Sequence, residues 1–559
     1  ALAILPGAAV ANLRRLEELG ARGLYGMFEA VDFTPDRRGA DGRFTHVDAY
    51  MAHHQGMILC AIGNALTGDA LVGRFAADVR IRLGSPLWGG RIRGEIPPER
   101  GRPEERKGPP APVRGAATPA SWEPSGVDAF PQMHLLSNGR LASWVSEAGG
   151  GGLRWRGQAV TRFRADPTRD ADGVWIYIHD ADDGALWSAT RQPTGSAADE
   201  ERVVFHAHLA EYHRRAQEIE TRLDIGVGGR DDVEIRRLTI TNEGARRRRL
   251  RLTGYGEVVL APPLGDERHP AFSKLFVGSE AVPHLGGLLF ERRPRSPHET
   301  PPVLLHFVVG PDGPVDSVTF ESDRRAFIGR GGRGGRGGSL RRPVGASAPL
   351  TMGTGWTMDP VMALQVEVEL EPYTRQELAF VTVVAASREA ALEIAERHAT
   401  LASLEWALAD AASEIARAVQ RVGIGPSRLA PAMMLASQLV YPHGPLRADA
   451  ARIVGNRFGQ PDLWGMALSG DLPILVLRTG GDRESGLLAE LVGAHQFWRR
   501  QGLESDLVVL QTGGSAYVEP MRESLADLLR GGGGDDQGCS TGRGGVRPGR
   551  AAGPVYRRS

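Results

Sequence analysis

Residues 364–370 read Leu-Gln-Val-Glu-Val-Glu-Leu. Apolar Leu364, Val366, Val368 and Leu370 alternate with polar Gln365, Glu367 and Glu369, the period of two that a half-buried β-strand requires. Leu250 and Leu252 repeat it between Arg249, Arg251 and Thr253. Further strand-like runs occupy 140–146, 175–179, 203–209, 233–241, 303–309 and 377–384. Ser137-Asn138-Gly139, Asp182-Asp183-Gly184 and Asn242-Glu243-Gly244 supply turns between them. About 250 residues of short strands without intervening amphipathic helices predict a large antiparallel sandwich.

On either side the period changes. Val10, Leu13, Leu16 and Leu19 recur at helical spacing, and Met51, Ile58, Ile62, Leu66 and Leu71 continue an apolar pattern over 47–80. The reading there is helix, active loop, helix. Downstream, Ser387 with Glu389 opens a long helix whose apolar face takes Leu392, Ile394, Ala395, Ala399, Leu401 and Leu404. A second helix runs on to about Val422, and 429–441 and 487–501 read as further helices. Gly, Pro, Arg and Glu dominate 89–112, a linker composition. The Gly/Arg run 329–338 reads as a flexible insertion, and the segment after Arg530 as a disordered or aberrant tail.

The chain has 559 residues, with 67 basic and 67 acidic side chains. A net charge of zero gives no electrostatic case for nucleic acid or an anionic membrane. Two distant cysteines, Cys60 and Cys539, make no disulfide framework. Cys60, between Met57, Ile58, Leu59 and Ile62, reads as a buried small hydrophobe. No apolar run approaches the ~20 residues of a membrane helix. The opening Ala-Leu-Ala-Ile-Leu-Pro lacks the basic region of a signal peptide and an initiator Met. A piece of a longer or processed chain, itself soluble and without membrane contact, is the expectation.

The chemistry-bearing strings are 23–35, Gly-Leu-Tyr-Gly-Met-Phe-Glu-Ala-Val-Asp-Phe-Thr-Pro, and 50–57, Tyr-Met-Ala-His-His-Gln-Gly-Met. Glu29 and Asp32 are three apart; on a helix they would share a face with Cβ atoms ~5–6 Å apart. Two carboxylates in different settings can divide the acid and base or nucleophile roles of glycoside chemistry. Met27, Phe28, Ala30 and Val31 around Glu29 suggest an apolar setting that would keep it protonated. His53 and His54 are adjacent and diverge by ~100° on a helix, so they do not share one metal. One of them, beside Gln55, could hydrogen-bond sugar hydroxyls. An ordinary exposed helix pair and a core histidine are the alternatives. Arg246–Arg249 reads as a solvated hairpin end rather than a phosphate site. No Walker loop, Rossmann fingerprint, Cys-x-x-Cys pair or Gly-x-Ser-x-Gly elbow stands in a supporting context; no metal or cofactor is expected.

Several strings together resemble one family. Residues 23–35 with 50–57 look like the end of the glycoamylase-like domain of bacterial cyclic β-1,2-glucan synthases. The strings 134–140, 161–164 with 166–170, 187–190 with 192–195, 232–237, 255–260 and 269–273 resemble the β-supersandwich that follows it. Residues 463–464 and 469–474 resemble the approach to a phosphorylase-type (α/α)6 barrel. The resemblance implies a multidomain α and β chain. Residues 1–88 would end an (α/α)6 glycoamylase-like barrel and 89–125 would be a linker. Residues 126–385 would form the supersandwich, 386–425 linker helices, 426–530 the start of a second (α/α)6 barrel, and 531–559 the tail.

It also implies a parent at the cytoplasmic face of the bacterial inner membrane, where a glucosyltransferase makes linear β-1,2-glucan. The glycoamylase-like part is implicated in ring closure by transglycosylation and the phosphorylase-like part in chain-length control. By resemblance, Glu29 and Asp32 are the candidate catalytic carboxylates, and Tyr25, His53, His54 and Gln55 line the sugar site. The partners would be β-1,2-linked glucan and the remainder of the parent polypeptide. The chain alone is expected to be inactive. The competing expectations are a non-catalytic carbohydrate-binding or assembly module on the sandwich and a degraded β-glucan phosphorylase.

Overall fold

A computed structural model describes residues 5–33, 44–77, 119–124, 130–295, 299–330, 339–441, 446–464, 468–479, 485–511 and 546–550. It divides into two compact units, 1–109 and 110–559.

The second unit is built on a sandwich of two antiparallel sheets. In the first sheet the long strand Arg248–Ala261 is central. It pairs with Val174–Asp180 on one side and Pro360–Leu370 on the other, and near its end with Gln158–Thr161. The sheet continues through Gly151–Trp155 and Leu141–Ser146 to Met133–Ser137. The second sheet runs from Glu200–His206 through 209–216, 219–227, 233–242, 375–385, 303–310 and 287–292 to Val277–Val282 and Gly355–Trp356. Leu250, Leu252, Leu364 and Val366 from the first sheet meet Leu223, Leu238, Leu378 and Phe380 from the second in one buried core.

The strand that decided the fold shows where simple alternation ends. Glu367 and Glu369 are exposed as expected, but residues 360–366 are buried without a break. Short helices at Arg324–Ile328 and Val344–Ser347 cover the outer face there, and Phe327 and Ala346 pack on Val361 and Ala363. Gln365 is therefore buried, and its amide donates to Thr253 Oγ1 at 3.0 Å and to the Gly345 carbonyl at 2.8 Å. A buried amide is tolerated when its donors are satisfied.

The turn signals fold as their chemistry demands. Asn138 Oδ1 accepts from the Arg140 and Leu141 amides at 3.0 and 2.9 Å, and Gly139 takes φ 86°. At Gly151 (φ 140°) a Cβ would sit 1.7 Å from the Trp144 carbonyl oxygen, so the adjacent strand can approach only a glycine.

Two helices cover the outer face of the second sheet. Ser387 caps Arg388–Arg397, its Oγ accepting from the Ala390 amide at 3.3 Å. Two helices form as expected, but the break falls at residues 398–400, so Leu401 and Leu404 belong to the second: Thr400 and Ser403 form a capping box that starts Leu401–Arg421. Ala391, Ala395, Leu404 and Leu408 pack on Val233, Leu305 and Val381. The outer face of the first sheet is covered from the C-terminal side. Met433 of Leu429–Val440, and Phe497 and Trp498 of Ser485–Arg500, pack with Met133, Leu135 and Trp144. An all-helical pattern over 426–530 is not what forms: Ile474–Thr479 and Asp506–Gln511 pair as parallel strands. The tail contributes Val546–Arg550, paired parallel to the latter; its other residues lie outside the described ones.

Before the end of the linker expected over 89–125 the chain already joins the sandwich. Trp122 exchanges backbone hydrogen bonds with Phe205 at 2.9 and 2.8 Å and packs against the sandwich core. Residues 78–118 and the Gly/Arg run at 331–338 lie outside the described residues.

In the first unit, Pro6–Glu18 is helical, followed by two short antiparallel ribbons, 22–23 with 26–27 and 30–32 with 45–47. The helix Ala52–Thr67 ends on Gly68 in the left-handed region (φ 62°) before Ala70–Ala76. Cys60 is exposed rather than buried. Among the described residues no single helix is long and apolar enough to cross a membrane.

Candidate functional site

The carboxylate and histidine strings do converge, but not on a helical face. Glu29 stands at a bend leading into the strand Ala30–Asp32. Its amide donates to the Ala49 carbonyl at 3.0 Å, which ties the two strings together. In extended chain, three residues span ~10 Å and alternate faces. The shared face expected for Glu29 and Asp32 is therefore replaced by a strand on which Asp32 lies opposite Thr45. Pairing of 30–32 with 45–47 holds this segment extended, so helical spacing does not apply to it.

Glu29 instead engages His54. The His54 Nδ1 contacts Glu29 Oε1 directly, with the carboxylate side chain 14% exposed and the imidazole 44%. The setting of Glu29 is thus polar on one side rather than purely apolar. His54 is on the first turn of helix 52–67, whose amide at Gln55 donates to the Met51 carbonyl at 3.0 Å. Gln55 is half-buried. His53 is in the same turn, and its side chain lies outside the described residues. Tyr25, at the tip of the first ribbon, is 76% exposed and meets Tyr50 edge-on at 5.6 Å. Tyr50 also packs on Phe28 at 5.6 Å. A Cβ at Gly23 would lie 2.2 Å from the Tyr50 hydroxyl and 2.6 Å from the Phe28 ring. Tyr50, which opens the second string, and Phe28, read as part of the apolar setting of Glu29, thus build the site, and Gly23, by lacking a side chain, makes room for both. A carboxylate bonded to an imidazole beside exposed Tyr25 and half-buried Tyr50 can bind sugar hydroxyls and exchange a proton. Among the described residues no three metal-ligating side chains cluster.

The second unit gathers carboxylates in two places that the sequence did not single out by chemistry. At Arg162, Glu257 and Asp266 every carboxylate is engaged. Asp266 takes both Arg162 Nε and Nη2, at 3.0 and 2.9 Å, and Glu257 takes Arg162 and Arg324. Burial pushes the Glu257 carboxyl up, but Arg162 and Arg324 outweigh it and hold it below the usual range. Such a saturated network orders the fold and leaves no group free to move a proton. The other place is a cleft of about 540 Å³. Here the string 166–170 meets Gln192-Pro193 and Glu147. Burial pushes the Glu147 carboxyl up to about 7 and raises that of Asp170. The Arg246–Arg249 turn is not simply solvated either. Arg248 is 1% exposed, with Nε donating to Asp180 Oδ2 at 2.6 Å.

Against known families, residues 123–401 match the supersandwich domain of glycosyl hydrolase 94. These residues thus form a supersandwich domain of the glycosyl hydrolase 94 type. The match starts one residue after Trp122 and runs past the covering helix Arg388–Arg397 to residue 401, where the sequence reading placed the supersandwich at 126–385. The chain is also 31% identical, over 94% of its length, to the cyclic beta-(1,2)-glucan synthase NdvB of Rhizobium meliloti (strain 1021). It spans 18% of that relative's length. The resemblance read from the strings holds. Among solved structures, a putative kojibiose phosphorylase from the human microbiome aligns at 8% identity with a TM-score of 0.31. That alignment covers 55% of this chain and 39% of the other. A bacterial glucoamylase complexed with acarbose aligns at 9% identity with a TM-score of 0.34, covering 57% and 43%.

Proposed function

We propose that this chain takes part in the synthesis and processing of β-1,2-linked glucan, holding the glucan beside Glu29 in its first unit. The observation that carries the reading is the 31% identity with a cyclic beta-(1,2)-glucan synthase across 94% of the chain. In this reading Glu29 is the carboxylate that exchanges a proton with the glycosidic oxygen. His54 orients it and takes up the compensating charge. Tyr25 offers a stacking surface, and His53 and Gln55 bind hydroxyls. Asp32 acts from the neighbouring ribbon. The reactions served are transglycosylation and chain-length control, and the remaining partner is the rest of a longer polypeptide.

The chain by itself binds glucan without turning it over. Glycoside cleavage needs a second carboxylate across the sugar and an enclosed, distorted ring. Tyr25 at 76% exposure and His54 at 44% leave this site open. Calorimetric titration of the full chain with β-1,2-gluco-oligosaccharide, with product analysis in the presence and absence of phosphate, tests both statements. Glu29→Gln is expected to weaken binding about tenfold, the scale of one charge-assisted hydrogen bond. Unchanged binding in E29Q would remove Glu29 from the site, and turnover by the wild-type chain would overturn the inactivity.

A further inference from the structure

We propose that the groove beside Trp356, on the outer edge of the second sheet, is a surface site for a neutral β-linked gluco-oligosaccharide. The β-glucan identity of the ligand rests on the proposed function; the stacking geometry does not.

Trp356 is 65% exposed. It is on the two-residue strand Gly355–Trp356, which pairs with the edge strand Val277–Val282 by opposing Gly278. A Cβ at Gly278 would lie 3.0–3.2 Å from the indole ring atoms. The ring therefore lies against glycine backbone on one face and leaves the other open. Its footing is fixed: Ser279 Oγ accepts from the Gly355 amide at 3.1 Å and donates to the Gly355 carbonyl at 3.2 Å. An indole held flat this way gains little burial, so core packing does not account for its position.

The groove beneath has a volume of about 700 Å³ and a floor of Leu289 and Val303. Its walls carry both charges. Glu280 pairs with Arg388, and Arg292 faces Glu299 at 3.6 Å. Arg292 is only 6% exposed, and its Nε has no hydrogen-bond partner among the described residues. Paired charges of both signs disfavour a strongly ionic ligand. They suit a polyol, whose hydroxyls donate to carboxylates and accept from guanidinium groups. A β-linked pyranose presents a C–H face to the indole and a rim of hydroxyls to those walls, the amphipathic match that an exposed tryptophan offers.

The test titrates the full chain with β-1,2-gluco-oligosaccharide and, separately, with cello-oligosaccharide. Affinity is read by calorimetry, and the Trp356 Nε1–H resonance reports the site itself. Trp356→Ala is expected to lower affinity tenfold or more. Trp356→Phe should recover part of the loss, and Glu29→Gln should leave the shift of the Trp356 resonance intact. If β-1,2-glucan binds with equal affinity to W356A and the resonance never moves, the surface site is wrong and the proposed function stands. If only cello-oligosaccharide moves the resonance, the site stands and the β-1,2 reading fails. If neither sugar moves it, the proposal is overturned.

Discussion

Asp180→Ala is expected to destabilise the sandwich by about 3–5 kcal/mol, the usual cost of stranding one member of a buried ion pair. Asp180 is 0% and Arg248 1% exposed. Arg248 Nε and Nη2 lie 2.6 and 2.5 Å from Asp180 Oδ2, and Nη1 donates to the Gln217 carbonyl at 2.8 Å. The other carboxylate oxygen accepts from the Asp182 amide at 2.8 Å and so builds the 180–184 turn. Truncation would leave a guanidinium without its counter-charge between strands 174–180 and 248–261, and would also loosen that turn. Urea unfolding of the sandwich transition should show a lower midpoint at unchanged slope. The double variant Asp180→Leu/Arg248→Met should recover most of the loss, since an apolar pair of similar volume carries no desolvation penalty. A change below 1 kcal/mol for Asp180→Ala would show that water reaches Arg248 in solution.

Arg248 also marks where the sequence stopped being legible. A run of four arginines after a turn reads as solvent-exposed, and the prior is reasonable for Arg246, Arg247 and Arg249, all half-exposed or more. Whether the remaining arginine points inward depends on Asp180, 68 residues upstream, and on long-range pairing that no local pattern encodes. Gln365 fails for the same reason: its alternation is correct, but helices 324–328 and 344–347 turn the outer face into an interior. The strands themselves were readable because period two and Asn/Gly turns are local properties. At Glu29 the local signal misled. Helical periodicity on both sides of the loop invited a helical spacing for Glu29 and Asp32. The residue that contradicted it was Gly23, which leaves space for Tyr50 and Phe28, and whose meaning depends on those distant rings. The recurrence of the family's strings identified the site's neighbourhood; it did not supply the pairing of Glu29 with His54.

Glu147 predicts a pH dependence with a definite sign. Burial raises its carboxyl from 4.5 to about 7, although the Gln132 amide, donating to Oε2 at 2.7 Å, lowers it in part. Below the unfolded value both states hold the proton and stability is independent of this group. Between about 4.5 and 7 the unfolded chain loses the proton while the folded chain keeps it, so stability falls as pH rises. The shift corresponds to about 3 kcal/mol over that window. Asp170, raised by burial in the same cleft, acts in the same direction. Buried His134 and His306, both lowered to about 3, act oppositely: they lose stability as pH falls below 6.5. The whole-chain curve therefore mixes both signs, and the informative quantity is the difference between wild type and Glu147→Gln. Glutamine keeps the acceptor for the Gln132 amide and cannot ionise. Relative to wild type, E147Q should be roughly neutral at pH 4, gain steadily across the window, and be more stable by about 2–3 kcal/mol at pH 8. A difference curve that stays flat from pH 4 to 8 would mean that Glu147 ionises in the folded protein as it does in the unfolded one. The 540 Å³ cleft would then be open to water at its floor.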